Sequence, residues 1–473
     1  MRRVTVYENE KKYSFECKKG TKLSALLMKK GIQAEHPCGG QGKCGKCRVT
    51  VDGESRLSCK YIIEKDITVV IDSRENVSFP AGYLTECDFS QVCLALDIGT
   101  TTLELALVSE NEKYIIDSIT ALNPQKIFGA DVMSRIDYCR KHGVKGLHDA
   151  VVACINTMIA GLLDRYGIDN VNRLYVSANT AMLHMFFGVD CSAMGISPYT
   201  PQFLEGKNVS ASDIGLIRVK DVVSLPCISA FVGADIVAGL NIAGMPEKGK
   251  YNFLVDLGTN AEIVLYSSDR VICTSAAAGP CFEGANISCG MGAVEGAVCA
   301  YNYGEKPIMI GNSEPVGICA TGLVSVIAEL LKNGIIDETG FMAEERFVLA
   351  DGVYLTREDI RNYQLAKSAV YSAVITLMRK TGITFRDIDK FFVSGGISSA
   401  LNIEAAVSTG LLPAEAFYKY NAVSNTSLAG TVKYIFENND LSVFTENACY
   451  EDLASDSVFS ELFIENMMFT FYE

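Results

Sequence analysis

Apolar residues along this chain follow a strand period near the start and a mixture of strand and helix periods further on. Residues 4–17 alternate as an antiparallel hairpin does, and residues 21–31 carry a helical pattern that ends in glycine. Residues 74–91 are polar and show no period. The pattern predicts a small β-rich domain over residues 1–73, followed by a linker over residues 74–91.

The stretch 92–107 reads as an apolar strand, a tight polar turn and a returning strand. The first strand ends at Asp97, and the turn residues are Gly99, Thr100, Thr101 and Thr102. A glycine lets backbone N–H groups approach a ligand closely, and the threonines add hydroxyl donors. A carboxylate at the strand end can hold Mg²⁺ through water, because that ion keeps much of its hydration shell.

The same order of residues recurs in the stretch 253–265. Its strand end and turn are formed by Asp256, Gly258, Thr259 and Asn260. One such hairpin alone would fit an ordinary Asp-x-Gly turn. A third apolar strand runs into Gly395 and Gly396, and a glycine pair lets a flat ring lie against the backbone. Together these features predict a duplicated α/β unit that holds a nucleotide between its halves.

Composition narrows the class of protein. The chain has 473 residues with a net charge of −14, from 42 basic and 56 acidic side chains. This balance argues against non-specific binding to nucleic acid or to an anionic membrane. No apolar signal core and no apolar run near ~18 residues is present, so a cytoplasmic protein is expected.

Four cysteines in the first domain form a candidate metal centre: Cys38, Cys44, Cys47 and Cys59. The first three are spaced C-x5-C-x2-C in a glycine-rich loop, which suits thiolates wrapped around an iron–sulfur cluster. Zinc is the main alternative, although zinc sites seldom need four glycines among their ligands. A disulfide is disfavoured in a cytoplasmic protein.

Three further features have less specific patterns. Glu283 and Glu295 are the acids of a glycine-rich segment, 279–296, that suggests a loop closing over a ligand. The charged residues of the helix after position 130, Asp131, Arg135 and Asp137, are expected to form a solvated face. His184 is expected to be a core histidine, and the four scattered histidines of the chain indicate no histidine metal site.

The cysteine motif resembles that of plant-type [2Fe–2S] ferredoxins, which have a β-grasp fold. The later motifs resemble the superfamily of acetate and sugar kinases, heat-shock proteins and actin (ASKHA), a duplicated ribonuclease-H-like fold. On this resemblance the phosphate motifs are residues 97–102 and 256–260, the connecting helices contain 233–239 and 427–430, and Gly395-Gly396 contacts adenosine. The implied parts are subdomain I over 92–245, subdomain II over 246–430, and a segment over 431–473 that packs back on subdomain I.

The combination resembles the ATP-dependent reductive activators of corrinoid proteins. That resemblance implies ATP, Mg²⁺ and a [2Fe–2S] cluster as cofactors, with Asp97 and Asp256 organising the ion and the attacking water. It also implies electron transfer to Co(II) of a corrinoid protein of a methyltransferase system, to regenerate Co(I). A low-potential electron donor and a homodimer are expected, and neither nucleic acid nor a membrane.

Three other functions stay open at this point. The first is a small-molecule kinase with a redox-sensing ferredoxin domain, which would need a metabolite pocket near Glu283. The second is an ATP-dependent scaffold or chaperone. The third is an electron injector for a dehydratase, a class whose members resemble dimers that share one cluster between subunits.

Overall fold

A computed structural model describes residues 2–8, 11–29, 48–52, 54–58, 60–71, 91–311, 313–423 and 425–469. The four predicted cluster ligands, Cys38, Cys44, Cys47 and Cys59, lie outside these described residues, as does the predicted linker apart from Gln91. The chain divides into two compact units, residues 1–78 and residues 79–473.

The first unit is a mixed β-sheet with one helix against it. Its elements are β1 (Arg2–Glu8), β2 (Lys11–Cys17), β3 (Thr21–Lys22), α1 (Leu23–Lys29), β4 (Arg48–Val51), β5 (Glu54–Leu57), β6 (Ile62–Ile63) and β7 (Ile67–Ile71). The main sheet has the order β2-β1-β7-β4-β5, with β1 and β7 parallel. Leu23 and Leu27 of α1 are buried with Val4, Val6 and Val69 of the sheet. This arrangement agrees with the predicted β-grasp fold.

The first half of the second unit is a six-stranded sheet flanked by helices. Its strands are β8 (Val92–Ile98), β9 (Thr102–Ser109), β10 (Tyr114–Leu122), β11 (Val171–Ala178), β12 (Asn208–Ser210) and β13 (Val219–Ser224). Its helices are α2 (Val132–His142), α3 (Lys145–Arg165), α4 (Thr180–Phe186) and α5 (Ala234–Ala243). The strand order is β10-β9-β8-β11-β13-β12. The central strand β8 is apolar from Val92 to Leu96 because both of its faces are covered.

The second half has a sheet of the same kind with more insertions. Its strands are β14 (Tyr251–Leu257), β15 (Ala261–Tyr266), β16 (Val271–Ala276), β17 (Ala297–Ala300), β18 (Ile308–Met309), β19 (Gly317–Ile318), β20 (Arg346–Ala350), β21 (Val353–Thr356), β22 (Ile388–Ser394), β23 (Tyr420–Ala422) and β24 (Ala448–Tyr450). Its helices are α6 (Ala320–Lys332), α7 (Arg357–Thr381), α8 (Ile403–Ser408), α9 (Thr426–Glu437), α10 (Ser442–Thr445) and α11 (Ser457–Glu465). The main sheet has the order β23-β22-β14-β15-β16-β24.

The two main sheets repeat one topology. In each, an antiparallel meander of three strands is followed by two strands that are parallel to the first: β10-β9-β8-β11-β13 in one and β16-β15-β14-β22-β23 in the other. Asp97 and Asp256 are the second-to-last residues of the equivalent first strands, β8 and β14, so that both predicted aspartates lie at the same edge of their sheets. The predicted duplicated α/β fold is confirmed.

Helix α3 is, among the described residues, the one helix long and apolar enough to cross a membrane. Eight of its side chains, including Leu147, Ile155 and Leu162, are buried in the core of the first half. Its apolar character is therefore accounted for by packing within the protein.

The C-terminal segment, residues 431–473, was expected to pack on subdomain I, and this prediction is wrong for its later part, residues 453–469. Strand β24 joins the edge of the second sheet beside β16, and α11 lies along α7. Ser368 Oγ of α7 donates to the Phe463 carbonyl (2.5 Å), and Lys367 Nζ donates to the Met468 carbonyl. Periodicity revealed an apolar face on α11, but not that α7 carries buried donors for its backbone carbonyls. The earlier part of the segment does contact the first half. Val432 is buried in a cluster with Tyr175, and Leu441 and Phe444 belong to the first core.

Two helices rich in small residues cross between the halves. Helix α5 follows the first sheet and packs tightly against α9, which follows the second. A Cβ atom built on Gly430 of α9 would lie 1.8 Å from the carbonyl oxygen of Ala238 in α5. Asn241 Nδ2 donates to the Gly430 carbonyl (3.0 Å) at the same crossing. The predicted connecting helices therefore meet with their backbones nearly in contact.

Candidate functional site

The first phosphate turn joins β8 to β9. The Gly99 N–H donates to the Thr102 carbonyl (2.9 Å), which closes the turn. A Cβ atom on residue 99 would lie 2.8 Å from that same oxygen, so that the tight turn requires glycine. Thr101 and Thr102 are exposed at the tip of the turn. Their hydroxyl groups are therefore accessible to a ligand.

The second predicted phosphate turn is one residue shorter and is closed by a hydrogen bond from the Gly258 N–H to the Asn260 carbonyl (3.0 Å). The groups of Thr259 that are predicted to donate to a phosphate donate here to a side chain of the protein. The N–H and the Oγ1 of Thr259 both donate to Glu283 Oε1, at 3.0 and 2.7 Å. A carboxylate oxygen therefore occupies the position predicted for a phosphate oxygen. The sequence identified Glu283 as an acid of the glycine-rich loop but gave no sign of this contact.

Hydroxyl groups from other elements orient the two predicted catalytic aspartates. Ser427 of α9 donates to Asp97 Oδ1 (2.7 Å), and Ser394 at the end of β22 donates to Asp256 Oδ2 (2.5 Å). Ser427 also shares a hydrogen bond with Ser177 Oγ (2.8 Å), at the end of β11. Asp97 of the first half is thus held by a helix that follows the second sheet.

The two aspartates belong to a cluster of acidic side chains that are largely shielded from solvent. Burial, together with the charges of Glu104 and Asp256, raises the pKa of Asp97 to about 7 against the lowering effect of the Ser427 hydrogen bond. Burial likewise raises the pKa of Asp256. The structure therefore brings the two predicted aspartates within electrostatic reach of each other. Both would release a proton more readily beside a cation.

Two more acids near this site were not identified from the sequence. Asp235 lies in the first turn of α5, and burial together with Asp256 and Asp97 raises its pKa to about 7. Burial and the charges of Asp256 and Asp235 raise the pKa of Glu262 on β15 well above its ordinary value. Asp235 lies in a helix of small apolar residues, and Glu262 follows the second turn by two positions. An acidic residue within an apolar helix, and an acidic residue just after a predicted turn, were the sequence features that could have identified these two acids.

No group of three or more histidine, cysteine, aspartate or glutamate side chains within the described ranges is arranged to hold a metal ion. The carboxylates at the cleft can therefore supply only part of an octahedral Mg²⁺ shell. The remaining ligands would have to be waters and phosphate oxygens, as is usual for this ion.

The predicted adenosine contact lies after β22. Gly395 has a φ of +95°, and a Cβ atom built there would lie 2.3 Å from the Leu257 carbonyl oxygen. A side chain at this position would therefore collide with the strand that leads to the second phosphate turn. Gly396 is exposed, and a built Cβ atom has no heavy atom within 4 Å. This leaves open space beside the backbone, as a flat ring requires.

The helix α2 departs from its predicted solvated face. Asp137 is exposed and pairs with Arg140 and Lys141, whereas Asp131 caps the helix by accepting from the Ser134 N–H (2.8 Å). Arg135 is fully buried, and its Nη2 donates to the Thr100 carbonyl (2.7 Å) in the first phosphate turn. The prediction is therefore wrong for Arg135.

His184 is a satisfied core residue, as predicted. Its Nε2 accepts from the Gln202 N–H (3.0 Å), so its Nδ1 is the protonated nitrogen and donates to the Thr180 carbonyl (2.8 Å). Burial lowers the pKa of His184, which keeps it neutral.

Comparison with known proteins identifies the family. A model described as the C-terminal domain of RACo, the ASKHA domain, matches residues 250–472, and one described as the RACo middle region matches residues 92–248. A third, the 2Fe-2S iron-sulfur cluster binding domain, matches residues 6–67. The chain belongs to the RACo family of reductive activators of corrinoid proteins. The predicted [2Fe–2S] ferredoxin domain and ASKHA fold are confirmed.

Two relatives have been named for their activity. One is the corrinoid activation enzyme RamQ of Eubacterium limosum, 27% identical over 417 residues, or 80% of this chain and 70% of the relative. The other is the [Co(II) methylated amine-specific corrinoid protein] reductase of Methanosarcina barkeri, 28% identical over 393 residues, or 75% of this chain and 72% of the relative. A solved structure, described as the reductive activator for corrinoid, iron-sulfur protein, has the same fold, with a TM-score of 0.72 and 24% identity. That alignment covers 100% of this chain and 99% of the other.

Proposed function

We propose that this chain reduces Co(II) of a corrinoid protein to Co(I) in a reaction that depends on ATP. Membership of the RACo family and the names of the two relatives support this function. The observation that carries the ATP requirement is the pair of equivalent Asp-x-Gly turns, which end β8 and β14 within one compact unit. The [2Fe–2S] cluster supplies a one-electron carrier of low potential, held by Cys38, Cys44, Cys47 and Cys59.

The nucleotide is proposed to lie between the two turns. Asp97 and Asp256 would hold Mg²⁺ and orient the attacking water, since their hydroxyl partners fix both carboxylates at the cleft. The hydroxyl and amide groups of Thr100, Thr101, Thr102, Thr259 and Asn260 and the turn glycines Gly99 and Gly258 would hold phosphate oxygens. The adenosine would lie against Gly395 and Gly396, where the backbone beside Gly396 is open.

Phosphate binding also suggests how the site communicates with the rest of the chain. Glu283 and a phosphate oxygen need the same two donors of Thr259. Binding of nucleotide would therefore release Glu283 and the glycine-rich segment that follows it. Such an exchange needs to favour one conformation by only a few kcal/mol to shift a population substantially.

The electron step needs this coupling because a plant-type cluster near about −400 mV is a weak donor for the Co(II)/Co(I) couple. The partner's cobalt is the substrate, and the change that makes it accept an electron would come from closure of the two halves. A low-potential electron donor, a homodimer and a cytoplasmic location remain predictions.

The test compares Asp256→Ala with Asp269→Ala, which changes an exposed aspartate in the turn between β15 and β16. Each cluster-loaded protein is mixed anaerobically with a Co(II) corrinoid protein and a reductant, and the Co(I) absorption band is recorded with and without Mg-ATP. We expect wild type and Asp269→Ala to form Co(I) only with Mg-ATP, and Asp256→Ala to form little. Equal Co(I) formation by Asp256→Ala would refute the ATP role. ATP hydrolysis with a phosphorylated metabolite and no Co(I) would favour the kinase alternative.

A further inference from the structure

We propose that Asn123 and Arg135 are positioning residues that hold the first phosphate turn with its amide groups facing the nucleotide. Arg135 would in addition place a buried positive charge behind the bound phosphates. This inference rests on the proposed ATP site, and it assigns a task to a segment, residues 123–135, that contributes no side chain to the predicted ligand shell.

Residues of the 123–135 segment donate hydrogen bonds to three consecutive backbone carbonyls of the turn. Asn123 Nδ2 donates to the Gly99 carbonyl (2.8 Å), and the Asn123 N–H donates to the Thr101 carbonyl (2.8 Å). The carbonyl between them, that of Thr100, accepts from Arg135 Nη2 (2.7 Å). Both donor side chains are fully buried. These hydrogen bonds therefore fix the orientation of three consecutive peptides of the turn.

Peptide geometry gives these contacts a direction. In a trans peptide the carbonyl and the N–H of the next residue point in opposite directions. Carbonyls of Gly99 and Thr100 that point to the 123–135 segment therefore turn the N–H groups of Thr100 and Thr101 away from it. Amides aligned in this way form an anion-binding nest.

Asn123 is itself held in place. Its Oδ1 accepts from the Gln125 N–H (2.9 Å), which caps a short helical turn over Pro124–Ile127. The side-chain amide is therefore fixed in the orientation that presents Nδ2 to the phosphate turn. The oxygen and the nitrogen of the Asn123 side-chain amide therefore each make a hydrogen bond.

Arg135 is an unusual choice for a purely structural donor. Among the described residues, its hydrogen-bond acceptors are the Thr100 and Gly129 carbonyls and the Met182 sulfur (3.3 Å), all of which are neutral. Burial lowers the pKa of Arg135 only to about 10, so the group stays charged at neutral pH. The carboxylates of Asp131 and Glu283 act on it at a distance without a hydrogen bond. A buried charge without a direct counter-ion is costly, and bound phosphates would reduce that cost.

The test separates phosphate binding from binding of the nucleoside. Dissociation constants for Mg-ATP and for adenosine are measured by calorimetry on the full cluster-loaded chain. The variants are Arg135→Met, Arg135→Lys and Asn123→Ser, which keeps a capping oxygen for Gln125. The matched control is Arg140→Met on the same helix, because that side chain is 52% exposed. Thermal midpoints are recorded for each protein.

We expect Arg135→Met to weaken Mg-ATP binding about 10- to 100-fold, the effect of a charge-assisted contact, and to leave adenosine binding within about twofold. Arg135→Lys should recover part of the Mg-ATP affinity, and Asn123→Ser should lose about fivefold. Arg140→Met should bind both ligands as wild type does.

Parallel loss of adenosine and Mg-ATP affinity, or unchanged Mg-ATP affinity, would show that the segment only supports folding and would overturn the inference. If Arg135→Met does not fold, Arg135→Lys and Asn123→Ser decide by the same comparison. A wild-type protein that binds no Mg-ATP would instead overturn the proposed function itself.

Discussion

Replacing Gly430 by alanine should force apart the two helices that join the halves of the ATPase unit. The added Cβ atom would lie 1.8 Å from the Ala238 carbonyl oxygen and 2.4 Å from the carbonyl carbon. Because both atoms are backbone, no side-chain rotation relieves the contact. The helices α5 and α9 must separate by about 1.6 Å to reach the 3.4 Å of ordinary van der Waals contact.

The expected magnitude combines two opposing effects. Overpacking between fixed elements destabilises by about 1–3 kcal/mol, and the higher helix propensity of alanine offsets up to about 1 kcal/mol. We expect the free energy of unfolding to fall by about 1–2 kcal/mol, which lowers the melting temperature by roughly 1–3 °C for a unit that spans residues 79–473. Movement of α9 also displaces Ser427, the hydrogen-bond partner of Asp97. The KM for Mg-ATP should therefore rise.

Gly161 on α3 provides the matched control. It is an exposed helical glycine, and a Cβ atom built on it has no heavy atom within 4 Å. Gly161→Ala should raise the free energy of unfolding by about 0.5–1 kcal/mol through helix propensity alone. Calorimetric melting curves and ATPase assays on both variants compare the two sites. A Gly430→Ala protein as stable as Gly161→Ala, with an unchanged KM, would refute the reasoning about the helix crossing.

Three further changes test other parts of the molecule. Glu283→Gln should raise the affinity for Mg-ATP about fivefold, because a neutral amide competes less well with phosphate for the donors of Thr259; a fluorescence titration with weaker or equal binding would contradict this. Lys367 has a pKa that burial lowers to about 8, so the unfolded chain binds one more proton between pH 8 and about 10.5 and stability rises with pH there. The melting temperature of wild type minus that of Lys367→Met should therefore increase between pH 7 and pH 9.5. A difference that does not change with pH would contradict this prediction. Cys47→Ser should abolish the visible absorption of the cluster and Co(I) formation while leaving ATP hydrolysis within about twofold; lost hydrolysis would show that the ATPase depends on the cluster.

The local sequence was sufficient to predict the two hairpins and their turns. Strands β8 and β9 are neighbours along the chain, and the turn between them can be closed only by a small residue such as Gly99. Strands β14 and β15 are likewise neighbours along the chain, although a Cβ atom on Gly258 would make only ordinary contacts, 3.4 Å from the Asn260 carbonyl oxygen. Because hairpins depend on contacts between residues close in sequence, their strand periods and glycine positions carry the information. The cysteine spacing of the first domain is equally local.

Only the tertiary structure determined which distant residues contact those turns. Arg135 lies on what the helical pattern indicates is a charged face, yet its acceptor Thr100 is 35 residues earlier in the chain. The contact between Thr259 and Glu283 spans 24 residues, and that between Asp97 and Ser427 spans 330. Periodicity shows which face of an element is apolar, but it cannot show which distant carbonyl, hydroxyl or carboxylate a polar side chain will meet. The sequence by itself therefore determined the elements and the chemistry of the turns, and only packing of distant segments determined the partners that hold them.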